Sequence, residues 1–101
     1  MVVKITLNEK NNPPGKLADA ELHFSDGPLA GLKLMGFAVW ERRTGNGRNV
    51  TFPARTFAVN GEKRSFALLR PVTGDATAQD RIRELVLQAY ADYEERAAVT
   101  T

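Results

Sequence analysis

Ile82, Leu85, Val86, Ala89, Tyr90 and Tyr93 recur at i, i+3, i+4, i+7, i+8 and i+11, a spacing that places all six on one face of an α-helix. Everything before this stripe has the other period. Val3, Ile5 and Leu7 alternate with Lys4 and Thr6, and Ala18, Ala20, Leu22 and Phe24 alternate with Asp19, Glu21 and His23. Side chains that alternate in this way belong to strands with one buried face. Strands first and one amphipathic helix last leave few architectures, because an antiparallel sheet must cover its apolar face with something. The chain is therefore predicted to be a single α+β domain over residues 1–101. About five antiparallel strands are expected, followed by one long C-terminal helix laid across the sheet.

The remaining segments fit that plan. Leu32 to Trp40 is the most apolar run, short for a helix and interrupted by Gly36, which suggests a strand that is central or faces a second copy. Thr44-Gly45-Asn46-Gly47 is a turn, Val50 to Phe52 resumes extended structure, and Pro53 ends it. Asn60-Gly61 between Thr56–Val59 and Lys63–Leu69 is a strong hairpin signal. Thr77, with Asp80 three residues later, reads as the N-cap of the helix.

Charge is distributed unevenly. Nine of the fourteen basic residues lie between Arg42 and Arg83, where the only acids are Glu62, Asp75 and Asp80, a local balance of +6 in a chain whose total is +2. Eight of the nine are Arg, whose planar fork suits phosphates and whose face stacks on bases. Arg42, Arg43, Arg48, Arg55, Lys63 and Arg64 fall at expected strand ends and hairpin tips, with Phe52, Phe57 and Phe66 interleaved. Those phenylalanines read first as core, and beside arginines they are also candidate platforms for unstacked bases. Arg81 and Arg83 sit in the first turns of the helix, with Asp92, Glu94 and Glu95 in its last. This is opposite to what the helix dipole favours and marks the helix start, with nearby Arg70, as a candidate phosphate site.

Other function classes find less support. There is no cysteine, which removes thiol catalysis and thiolate metal sites, and one histidine cannot build a His-rich centre. No cofactor is implied. His23, Asp19 and Glu21 share a strand face, where a surface histidine and solvated carboxylates are the expected reading and a small hydrolase the remote one. Gly45-Asn46-Gly47 lacks the third glycine of a dinucleotide loop. The chain is thus expected not to be an enzyme. The first ten residues carry no secretory pattern and no apolar run approaches a membrane span, so a cytoplasmic protein is expected.

Phe52-Pro53-Ala54-Arg55, then Gly61 and Arg64, then Arg70-Pro71-Val72 and a helix through Leu87–Tyr90, resemble the stage V sporulation protein G (septation protein) family of bacteria. Lys16–Ala20 and Gly36–Val39 fall where that family has its second and third strands, so the resemblance runs from about Val3 to Tyr93. It implies a homodimer that binds DNA and RNA and regulates gene expression, with ties to sporulation and septation. The basic residues around Pro53–Arg55 and Lys63–Arg64 would make the contacts. Ala54 and Thr56 replace the serine and second basic residue usual there, and Ser65 replaces a common acid. The alternative is a protein-interaction or scaffolding module whose basic strip docks an acidic partner.

Overall fold

The structure, a computed structural model, describes residues 1–10, 13–42 and 47–99. These residues form six strands and one helix: β1 (Val2–Leu7), β2 (Lys16–His23), β3 (Lys33–Glu41), β4 (Arg48–Thr51), β5 (Ala54–Val59), β6 (Glu62–Ala67) and α1 (Thr77–Val99). The α+β order read from the periodicities is present. The strands do not make one sheet, however. β1 to β4 form an antiparallel meander in sequence order, and β5–β6 stand apart as a two-stranded hairpin.

The meander buries one face. Its register aligns Val3 with Leu22, Ile5 with Ala20, Ala20 with Phe37 and Val39 with Val50, so these apolar side chains share a surface. The helix covers that surface, touching β1, β3 and β4. Ala18, Ala20, Leu22, Phe37, Val39, Val50, Val86 and Tyr90 form the core, with Ile82 and Leu87 packed at its margin. β3 is thus an internal strand, and Phe37, Ala38 and Val39 are buried within one copy. Leu32 and Met35, at 59% and 56% exposure, remain open.

The helical stripe is turned slightly from the expected face. Val86 and Tyr90 are its centre and Leu87 packs at the core margin, whereas Leu85 stays 44% exposed. The helix also begins earlier than Thr77 as cap would require. The Asp80 N–H already donates to the Ala76 carbonyl at 3.0 Å. The Asp75 carboxylate accepts both the Thr77 N–H (3.0 Å) and the Thr77 hydroxyl (2.6 Å). Asp75, not Thr77, supplies the side-chain acceptor, because a carboxylate one residue outside the turn reaches a free amide and carries the sign favoured by the dipole.

What separates the hairpin from the sheet is a bulge in β3. Between the pairs Ala20–Phe37 and Leu22–Leu34, one residue of β2 faces two of β3, Met35 and Gly36. Gly36 has φ +108°, and a Cβ there would lie 2.8 Å from Pro53 Cβ. Pro53, in the two-residue link between β4 and β5, is buried. A glycine at the bulge therefore lets the proline seat against β3, and the proline ends the meander. The other root of the arm is also fixed: Leu68 N–H donates to Pro53 O (2.8 Å), and the Gln79 side-chain amide donates to Leu69 O (2.9 Å). The radius of gyration, 15.2 Å, exceeds the roughly 13 Å of a globular chain this long, as a projecting arm requires.

Candidate nucleic-acid interface

The arm is built by its turn. Asn60 (φ 51°) and Gly61 (φ 81°) both adopt positive φ, the conformation of a two-residue turn whose twist matches the flanking strands. The register that follows pairs Arg55 with Phe66, Phe57 with Arg64 and Val59 with Glu62, while Thr56 faces Ser65 and Ala58 faces Lys63. One face thus alternates arginine and phenylalanine across the ladder, and the other carries small residues with Lys63. Every residue of both strands except Ala67 is exposed. The Phe57 and Phe66 rings lie 5.7 Å apart at 59°, with 39% and 38% exposure, outside the core. Arg64 meets Glu62 only at 3.5 Å and on the surface, a contact of little energy.

The other expected contact residues are placed elsewhere. Arg48, the first residue of β4, donates to Glu94 of the helix at 2.9 Å and lies 5.0 Å over the Tyr90 ring. These contacts tie β4 to α1, worth about 0.2–1 kcal/mol for a surface ion pair and about 0.5–1 kcal/mol for the ring contact. The Tyr90 hydroxyl's pKa is raised, by burial first and by the Glu94 charge second. Arg83 bonds Asp80 at 2.6 Å and lies 5.2 Å over Phe52. Phe52 itself packs edge-on against Phe37 at 5.1 Å, so of the three interleaved phenylalanines it alone belongs to the core margin. Arg42 closes the β3–β4 connection, its N–H donating to Gly47 O (3.3 Å), and its side chain is exposed. Arg43 lies outside the described residues.

At the helix start, Arg70 and Arg81 flank a groove of about 380 Å³ walled by Phe24, Leu69, Ile82 and Leu85. The first amide there is already taken by Asp75, whose carboxyl is held below its ordinary value by the two Thr77 hydrogen bonds. The described basic residues from Arg42 to Arg83 are therefore divided among four places: the β3–β4 connection (Arg42), the arm (Arg55, Lys63, Arg64), the β4–helix junction (Arg48), and the helix start (Arg70, Arg81, Arg83). Sequence spacing could not have made that division, since Arg48 and Glu94 are 46 residues apart.

The outer face of the meander holds the acid and histidine cluster. Asp19 pairs with Lys16 at 2.6 Å, and Glu21 accepts from His23 at 2.9 Å and from Lys33 at 3.5 Å. The His23 hydrogen bond holds Glu21 below its ordinary pKa, against an opposing desolvation and with help from the Lys33 charge. That direction is opposite to the raised pKa of a general acid. Among the described residues no three His, Asp or Glu side chains are grouped to hold a metal, and no helix is long and apolar enough to cross a membrane.

The class this geometry defines is an α+β domain: a four-stranded meander backed by one helix, bearing a detached basic–aromatic hairpin. Comparison with protein-family models, curated proteins and solved structures returns no match.

Proposed function

We propose that the chain is a cytoplasmic nucleic-acid-binding regulator of the kind the stage V sporulation protein G family represents. In this reading it is a homodimer that holds DNA or RNA by neutralising phosphates, with little reading of base identity. The observation that carries the reading is the arm: Arg55, Lys63 and Arg64 stand on a hairpin that serves no core and, among the described residues, meets acid only in the long Glu62 contact. Arginine forks so placed can reach phosphate oxygens without first losing an internal partner. Arg42, Arg70 and Arg81 add to the field, whereas Arg48 and Arg83 are engaged by Glu94 and Asp80 and contribute less. Leu32 and Met35, exposed at the start of β3, are the apolar surface offered to the second copy.

Titration with a mixed-sequence duplex at about 50 and 200 mM salt tests this. Three arm cations from each of two copies should lower affinity on the order of 10³-fold across that range, against about 40-fold for a lone copy. A flat response, or no binding at the lower salt, overturns the reading in favour of an acidic protein partner.

A further inference from the structure

We propose that the Arg55–Phe57–Arg64–Phe66 face of the arm is a stacking platform that takes two unpaired bases, so that the protein selects single-stranded over double-stranded nucleic acid. The proposal rests on the nucleic-acid reading above and names the form of ligand that this face would hold.

Two exposed rings on an isolated hairpin are costly features. Each phenylalanine keeps 38–39% of its surface exposed outside the core, and a hairpin with no third strand is marginally stable in water. Here each phenylalanine is paired with an arginine across the ladder, Phe57 opposite Arg64 and Phe66 opposite Arg55, and the two rings meet along the diagonal at 5.7 Å. No core residue covers them.

The occupant must tolerate both features. An apolar protein surface would strip water from Arg55 and Arg64 without pairing them. A second copy, face to face, would set those same two arginines against their own kind. A duplex offers phosphates but keeps its base faces inside the stack. A single strand offers flat apolar faces and phosphates in alternation along one chain, matching the alternation of Phe and Arg on the hairpin.

The tilt adds a preference. At 59° the two rings are far from parallel, so bases seated on both cannot remain stacked on each other. Bases that stack weakly on their neighbours lose least, which favours pyrimidine runs.

The experiment compares three ligands at low salt: oligo(dT) of about a dozen nucleotides, an abasic strand of the same length and charge, and a duplex of that length. Oligo(dT) should bind about fivefold or more tighter than the abasic strand for each ring engaged, and tighter than the duplex. Phe57→Leu and Phe66→Leu together should erase the advantage over the abasic strand while leaving abasic binding unchanged. Because the double variant could fail to form the hairpin, Phe57→Trp gives a second readout, with fluorescence quenched by oligo(dT) and not by the abasic strand, beyond any change at Trp40 in the unmodified chain. Equal affinity for oligo(dT) and abasic strand, or an unquenched Trp at position 57, overturns the platform and leaves phosphate binding standing. Failure to bind any of the three overturns both.

Discussion

Gly36 occupies the position with least freedom to change. A Cβ there meets Pro53 at 2.8 Å and the residue must also hold φ +108°, so contact and strain act together. Gly36→Ala should cost about 2–4 kcal/mol, read as a lower urea midpoint. Gly31→Ala, where φ is +85° but no atom lies within 4 Å, should cost only about 1–2 kcal/mol. Equal midpoints for the two variants would mean that the proline shifts aside. Asp75 acts through charge. Its folded-state carboxyl titrates below the ordinary 3.8, so its contribution is complete above that value and fades as pH falls through the lower, folded one. Asp75→Asn keeps an acceptor for the Thr77 amide but removes the proton equilibrium. It should flatten the acid limb of a thermal-stability profile recorded below about pH 4.

At the scale of elements, much was legible because it is local. Alternation in Val3–Leu7 and Ala18–Phe24 identified two strands, Asn60-Gly61 identified the hairpin, and the 3.6-residue stripe identified the helix. The division into two sheets was not legible, since it depends on a bulge in β3 receiving a proline from beyond β4. The site was legible to the same degree. Arg55, Lys63 and Arg64 could be placed by their turn, but the capture of Arg48 by Glu94 and Tyr90 joins residues distant in sequence. Leu85 misled because the stripe settles on Val86 and Tyr90. These two kinds of arginine should separate by experiment. Arg48→Ala should lower stability by about 1 kcal/mol and hardly alter the salt dependence of duplex binding. Arg64→Ala should leave stability nearly unchanged and reduce the logarithmic salt slope by about 0.9 for each copy bound. Identical effects on the slope would return Arg48 to the interface.

Across the whole molecule, the body and the arm are held by different means. The body has a core centred on Val86, which is fully buried, so Val86→Ala should cost roughly 1–3 kcal/mol in global unfolding. The arm has a turn, a short ladder and two anchored roots, with no buried side chain in either strand. Amide hydrogens of β5–β6 should therefore exchange faster than those of β2–β3. Val86→Ala should accelerate the body's exchange and leave the arm's rate unchanged, and a common acceleration would mean that arm and body open as one unit.

An outstretched hairpin studded with Arg55, Lys63 and Arg64 is also a row of trypsin sites set clear of the body. Brief digestion should nick the chain there first. The two fragments should stay together through clarification and gel filtration, because the meander lies on one side of the cut and the helix that covers it on the other. Whatever ligand grips the hairpin would slow that nick, so rates of cleavage with and without it would footprint occupancy directly.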